Sequence, residues 1–331
     1  MAPSDMTDSG GSLSKAIETE GSPINLVAVL GLTASGKSQL AIQLAKEYRG
    51  ELINCDASAL YRELSVGVTK PSRKEREEIP YHLLDVTSLE QGSDLVDYLQ
   101  HANRAIRDID ARGHLPIVVG GTGLYARALL DGFQPNQTEI PTEIRNLVRD
   151  MDIELARREL EQRDPESYER IDKQNPRRVM RALELTMALG APVELPKSQP
   201  RTDLRILRIY LLPEKAILDP RIRKRTEKMW EPWVEEVDLL EKKGLGHWIS
   251  LRKPIGYRWI QAFLRGELTR EEALGNIVRQ TVQLAKRQRT WLRREKEHPH
   301  CQHVYLENEK QRAEIPKRAS ALLQRFLGLR A

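Results

Sequence analysis

The sequence predicts an α/β fold: a doubly wound parallel sheet, with a helical insertion and a helical C-terminal region. Three observations carry that prediction. A short apolar run rich in branched residues, Ile24-Asn25-Leu26-Val27-Ala28-Val29-Leu30, enters a glycine-containing turn and then a helical pattern over residues 37–48, which reads as strand, loop, helix. Two more apolar runs, residues 51–56 and 115–119, are separated by a helical pattern over about residues 94–112, and strands alternating with helices imply parallel pairing. Residues 135–200 then turn helical and highly charged, with no strand pattern.

The elements follow in order. Residues 1–23 are rich in Ser, Gly, Asp and Thr and nearly devoid of apolar side chains, so they are expected to form a disordered tail that cannot offset its own ordering entropy. Residues 24–134 form the first part of the core, and residues 135–202 the helical insertion. Residues 203–331 supply a return strand, where residues 204–212 alternate in part, and a helical region broken near Gly244-Leu245-Gly246 and Pro254. At a prior of about 150 residues per domain, 331 residues allow roughly two domains or one core with a large insertion. No repeat of 20 to 50 residues is evident.

Composition excludes several classes. With 40% hydrophobic and 31% charged residues, and no apolar run near the ~20 residues that span a bilayer, membrane insertion is excluded. Lys+Arg 53 against Asp+Glu 48 leaves a net charge of +5, which permits a polyanionic partner without demanding one. Two cysteines, Cys55 and Cys301, are too few for a disulfide scaffold or a paired-cysteine metal site. No secretory or Arg-rich transit segment is visible, so a reducing cytoplasm is the expected compartment and a monomer the default state.

The strongest motif is Gly31-Leu32-Thr33-Ala34-Ser35-Gly36-Lys37-Ser38, which fits G-x-x-x-x-G-K-[ST] between an expected strand and helix. The core is therefore expected to be P-loop NTPase-like. Glycines let backbone N–H groups and a helix N-terminus face an anion, Lys37 adds a point charge, and Ser38 suits Mg²⁺ as the metal ligand. The loop specifies a diphosphate or triphosphate group without specifying what carries it: a kinase, an NTPase and a transferase with a diphosphate leaving group all remain open.

Asp56 ends the second strand, on the edge where ligands of open α/β sheets bind. It reads as a Mg²⁺ ligand, as a general base, or as a cap of the next turn. Gly120-Gly121-Thr122-Gly123-Leu124-Tyr125 places a second small-residue turn after another core strand, with the Thr122 hydroxyl available, although a plain tight turn also fits. Arg181 follows Arg178 by three residues and Arg177 by four on an expected helix capped by Asn175 before Pro176, where an arginine face suits phosphates or simply solvent. Residues 284–294 combine a basic stripe, Lys286 and Arg287 included, with Leu284, Trp291 and Leu292 for docking on the core. His298, His300, Cys301 and His303 are read as no zinc site, because one Cys and closely spaced histidines miss the spacing of structural zinc centres.

Taken together in chain order, the phosphate loop, residues 56–62, Gly67 with Lys70-Pro71, Pro80-Tyr81-His82-Leu83-Leu84-Asp85, Gly120-Gly121-Thr122-Gly123-Leu124-Tyr125, Arg178-Val179-Met180-Arg181-Ala182-Leu183-Glu184, Ile255-Gly256-Tyr257-Arg258 and Gln283-Leu284-Ala285-Lys286-Arg287-Gln288 resemble the tRNA dimethylallyltransferases. The resemblance spans residues 24–295. It implies transfer of a dimethylallyl group from dimethylallyl diphosphate to N6 of the adenosine 3′ of the anticodon, in tRNAs reading codons that begin with U, with pyrophosphate released. It implies that residues 31–38, with Arg221 or Arg225 closing over them, bind the diphosphate, and that Mg²⁺ is the cofactor. Asp56 becomes the base that takes the amine proton, and Thr122 contacts the reacting region. Asp56, Ala57, Ser58, Ala59, Arg145, Arg177, Arg178, Arg181, Lys286 and Arg287 are implied to contact the tRNA anticodon stem-loop, Arg145 by its spacing after Thr122 and not by a motif.

Departures cluster around nucleobase recognition. The family reads D-S-x-Q-x-Y where this chain has Asp56-Ala57-Ser58-Ala59-Leu60-Tyr61. Val68 replaces a usual Thr, Pro232 a usual Gly and Val282 a usual Arg. Two alternatives stand beside the transferase: a small-molecule P-loop kinase, which the phosphate loop leaves open, and, from Ala57 and Ala59, a tRNA-binding paralogue with reduced catalysis.

Overall fold

The computed structural model describes residues 22–134, 136, 138–193, 198–294, 301–306 and 309–329. The expected N-terminal tail lies outside the described residues, apart from positions 22 and 23. Strand β1 (Ile24–Gly31) leads through the phosphate loop into α1 (Lys37–Glu47), β2 (Gly50–Cys55), a 3₁₀ turn (Ala57–Leu60), α2 (Arg73–Glu78), β3 (Tyr81–His82), α3 (Leu95–Ala111), β4 (Leu115–Gly120) and α4 (Gly123–Asp131). Four helices follow: α5 (Thr142–Arg149), α6 (Ile153–Arg163), α7 (Pro165–Arg170) and α8 (Pro176–Leu189). The chain returns through β5 (Leu204–Pro213), then α9 (Lys215–Lys242), α10 (Gly246–Arg252), α11 (Tyr257–Leu264), α12 (Arg270–Arg294), β6 (Cys301–Leu306) and α13 (Glu309–Leu327).

The strands form one six-stranded sheet in the order β3-β2-β4-β1-β5-β6, parallel at every pairing. Alternation along β1 explains why it is central. Leu26, Ala28 and Leu30 enter the apolar cluster shared with α3, α4 and α12, while Val27 and Val29 enter the cluster shared with α1 and α13. A strand buried on both faces needs apolar residues at every position, which is the near-continuous run of a parallel sheet. A third cluster, centred on Trp230, Trp233, Tyr257 and Ile277, holds α9 to α12 together. Helices α5 to α8 gather around a fourth, built from Val148, Ala156, Leu160, Val179 and Leu183. Asn175 caps α8 by accepting from the Arg177 N–H at 3.1 Å, with Pro176 in the first turn.

Two strands depart from the sequence expectation. The C-terminal region is not wholly helical, because β6 adds to the edge of β5 with Arg208 opposite Cys301 and Pro213 opposite Leu306. β3 is only two residues long, and Glu51 of β2 holds it through a 2.6 Å contact to His82. Neither segment carries an apolar run; partner strands create both. Of the stretch weighed as a zinc site, His298 and His300 lie outside the described residues, whereas Cys301 and His303 fall on β6. Among the described residues, no group of three or more His, Cys, Asp or Glu side chains could hold a metal ion. No described helix is long and apolar enough to cross a membrane.

Candidate active site at the carboxyl edge of the sheet

Register fixes the site. Leu30 pairs with Gly120, and Cys55 also pairs with Gly120. The turns after β1, β2 and β4 therefore leave the sheet side by side. Those turns are the phosphate loop, Asp56 and the Gly121-Thr122 turn.

The loop wraps because its backbone leaves ordinary space at two positions, Ala34 (φ 60°) and Gly36 (φ 95°). Gly31 is needed for closeness: a Cβ there would lie 2.8 Å from the Leu211 carbonyl and 2.9 Å from Ser35 Oγ. Leu32 is fully buried, so only its backbone serves the loop. Its carbonyl accepts from the Ser35 N–H at 3.1 Å and from Lys37 Nζ at 3.5 Å. The first bond of α1 runs from the Leu40 N–H to the Gly36 carbonyl, so the Lys37 and Ser38 N–H groups precede the helical ladder and face outward. Ser35 Oγ is buried, with no hydrogen-bond partner among the described residues. An orphaned hydroxyl beside free N–H groups and a lysine fits a diphosphate, which brings its own acceptors. Ser38 is exposed at the head of α1, and a hydroxyl joined by phosphate oxygens is a donor set that suits Mg²⁺.

Asp56 is held by Asn54, whose Oδ1 accepts from the Asp56 N–H at 3.0 Å and whose Nδ2 donates to the Asp56 carbonyl at 2.9 Å. Asn54 Nδ2 also donates to the Leu83 carbonyl at 3.1 Å. The Asp56 carboxylate caps the 3₁₀ turn by accepting from the Ser58 N–H at 3.2 Å. The capping role weighed from sequence is thus real, and it leaves the second carboxylate oxygen for chemistry.

Lys37, Asp56, Thr33 and Arg225 share the wall of one cavity of about 640 Å³, part of it open to solvent. Val68, Met229, Trp233, Ile255 and Leu284 give it an apolar side. Arg225 donates to Thr33 Oγ1 at 2.8 Å, which brings α9 onto the phosphate loop. Burial lowers the Lys37 ammonium from the usual lysine range to about 8, opposed by Asp56 and assisted by Arg225. Burial likewise lowers the Arg225 guanidinium, again opposed by Asp56. A second cavity of about 660 Å³ meets the first at Lys37, Asp56, Val68 and Thr69, and Ser38, Ala59, Lys70 and Tyr81 line it. Lys37 and Asp56 therefore stand where two approaches join.

The loop between the two cavities is pinned from behind. Glu236 of α9 accepts from the Ser65 N–H at 2.9 Å and the Val66 N–H at 2.7 Å, and Tyr257 Oη donates to it at 2.5 Å. Gly67 fits only as glycine, since a Cβ would fall 2.3 Å from Trp233 Nε1. Lys70, nearly fully buried, pairs with Asp85 at 2.6 Å. Thr69 is β-branched at φ 54°, a conformation that persists only where its surroundings over-determine it.

The other expected site residues divide between these cavities and more distant positions. Thr122 does not line either cavity; its Oγ1 accepts from the Ala57 N–H at 3.1 Å and its own N–H donates to the Cys55 carbonyl at 3.1 Å. It supports the turn that carries Asp56. Ser58 lines the first cavity and Ala59 the second, where Ala59 is buried. Arg221, half-buried one turn before Arg225, does not line the cavity. Arg145, Arg177, Arg178 and Arg181 are exposed on α5 and α8, with Arg181 3.1 Å from Glu184. Lys286 and Arg287 are exposed on α12, where Lys286 shares a separate recess with Lys215, Arg289 and Arg293. The sequence reading missed Glu236, Asn54 and Gln288. The Gln288 amide joins the phosphate loop to the turn after β4.

The chain is also similar to known proteins. A family model described as IPP transferase matches residues 59–295. The tRNA dimethylallyltransferase 1 of Citrifermentans bemidjiense is 40% identical over 276 residues, covering 82% of this chain and 90% of that protein. The tRNA dimethylallyltransferase of Koribacter versatilis is 39% identical over 279 residues, covering 82% and 91%. Among solved structures, the full-length tRNA isopentenylpyrophosphate transferase of Bacillus halodurans is similar with a TM-score of 0.64 at 28% identity, over 92% of this chain and 98% of that one. A eukaryotic dimethylallyltransferase acting on tRNA shares the fold with a TM-score of 0.79 at 24% identity, over 92% and 80%.

Proposed function

Because the chain belongs to the IPP transferase family, we propose that it transfers a dimethylallyl group from dimethylallyl diphosphate to N6 of the adenosine 3′ of the anticodon, in tRNAs reading codons that begin with U. The observation that carries this reading is the placement of Lys37 and Asp56 on a shared cavity wall, with Arg225 beside them. The N6–C1 bond forms as the allylic C–O bond breaks, and pyrophosphate leaves with the electron pair. Loop N–H groups, Lys37 and Arg225 stabilise the charge that develops on it. The proton displaced from N6 goes to the free oxygen of Asp56. Ser38 is the residue that would hold Mg²⁺, which would supply further neutralisation of the leaving group's charge. The target adenine must leave the anticodon stack to enter between the walls. The apolar wall of Val68, Met229, Trp233 and Leu284 suits the prenyl tail. The same reading takes the enzyme to act on cytoplasmic tRNA as a monomer.

Mass analysis of tRNA nucleosides after incubation with the donor tests the reading. Isopentenyladenosine is the expected product, and its absence under every condition refutes it. Asp56→Ala should abolish single-turnover transfer while donor binding persists. An unchanged rate removes Asp56 as the base.

A further inference from the structure

We propose, on the basis of that function, that Gln288 is a positioning residue whose one side-chain amide sets the spacing between the leaving-group loop and the turn that supports the base. Its Oε1 accepts from the Thr33 N–H at 2.9 Å, and its Nε2 donates to the Gly121 carbonyl at 3.0 Å. The side chain is nearly fully buried. A backbone N–H only donates and a backbone carbonyl only accepts, so the two partners fix the orientation of the amide without ambiguity.

Both ends lead to the chemistry. Thr33 belongs to the phosphate loop and accepts from Arg225 at 2.8 Å through its hydroxyl. Gly121 precedes Thr122, whose hydroxyl accepts from Ala57 beside Asp56. Gln288 thus bonds to both the phosphate loop and the Gly121-Thr122 turn. The helix that carries it is seated independently, by buried Ala285 and Leu292 and by Trp291 against Gly123, where a Cβ would lie 2.8 Å from the indole. Removing the amide therefore leaves α12 docked and frees the two turns to drift. Transfer needs the amine, the allylic carbon and the base aligned together, and about 1 Å of misplacement costs about 10²-fold in rate.

The test is Gln288→Met, which keeps an unbranched side chain of similar length and removes both bonds. Expected are a roughly 10- to 100-fold loss in the single-turnover rate at saturating donor and RNA, and Kd values for inorganic pyrophosphate and for the anticodon stem-loop within about threefold of the parent. A helix-docking role alone would move those Kd values or the melting temperature instead. Gly121→Ala is the second variant, because its Cβ would fall 2.4 Å from Gln288 Nε2 and displace the amide without deleting it. It should show the same split between rate and binding, and it decides the matter if Gln288→Met does not fold. A single-turnover rate within threefold of the parent in both folded variants, or a loss explained entirely by weaker binding, overturns the proposal. The parent protein runs in the same assay. If it makes no product, the function itself fails; if it makes product and the variants match it, only the role of Gln288 fails.

Discussion

Lys37 illustrates how a single residue is set for its task. Burial disfavours its ammonium and lowers it to about 8, with Arg225 adding to the effect and Asp56 working against it. In the donor-free protein the charge proposed to grip a diphosphate is therefore lost as pH rises through about 8. Once a diphosphate is bound, its negative charge restores the ammonium to a higher range. kcat/KM for the donor should accordingly fall above about pH 8 while kcat holds further into alkali. Lys37→Arg, which stays charged, should move that limb upward; a kcat/KM flat from pH 7 to 9.5 in the parent contradicts the assignment. Lys37 and Asp56 were readable because a loop motif and a strand end mark them. Gln288 falls within a family-like block, but its role was not readable, since its partner Thr33 lies 255 positions away. Glu236 was hidden for the same reason, 170 positions from Val66.

At the scale of elements, the strands legible in the sequence are those buried on both faces, because continuous apolar runs are their signature. β1 and β4 have it nearly unbroken, and β2 and β5 keep it around Glu51, Asn54, Arg205 and Arg208. β3 does not, and an ionic cluster takes the place of apolar burial. Glu51, almost fully buried, accepts from Arg112 at 3.1 and 2.7 Å and contacts His82 and His114 at 2.6 Å each. Burial pushes this carboxyl up, yet the Arg112 and histidine hydrogen bonds outweigh it and hold the group at about 2. A lowered acid contributes stability in full above its unfolded value near 4.5 and loses it as pH falls through about 2. The difference corresponds to roughly 3 kcal/mol. Glu51→Gln should thus cost about 2–4 kcal/mol in urea unfolding at pH 7, with the gap to the parent closing between pH 4.5 and 2. A gap that stays constant over that range means the network is not ionic in origin. Since the chain after β3 carries Leu83 to the Asn54 amide and Asp85 to Lys70, the same variant also loosens the loop facing the second cavity.

For the whole molecule, the proposed chemistry sits where the sheet edge meets α9 and α12, while the arginines expected to hold RNA lie on α5 and α8, around a separate apolar cluster. The sequence marked that region by its charge and its helical period, but could not place it relative to the cavity, because spacing along a chain says nothing of distance across a fold. The separation has an energetic consequence. Contacts to phosphate release counterions, and each one contributes about 0.7–0.9 to the slope of log affinity against log salt. Changing Arg145, Arg177, Arg178 and Arg181 together to alanine should therefore weaken binding of the anticodon stem-loop and reduce that slope by up to about 3. The KM for dimethylallyl diphosphate should not move, because none of the four lines either cavity. Arg178 and Arg181 already face Asp172 and Glu184, so a smaller drop in slope would mean that RNA must first displace these surface pairs. A variant with unaltered affinity and slope assigns RNA recognition to another face, with the basic stretch of α12 the next to be tested in the same way.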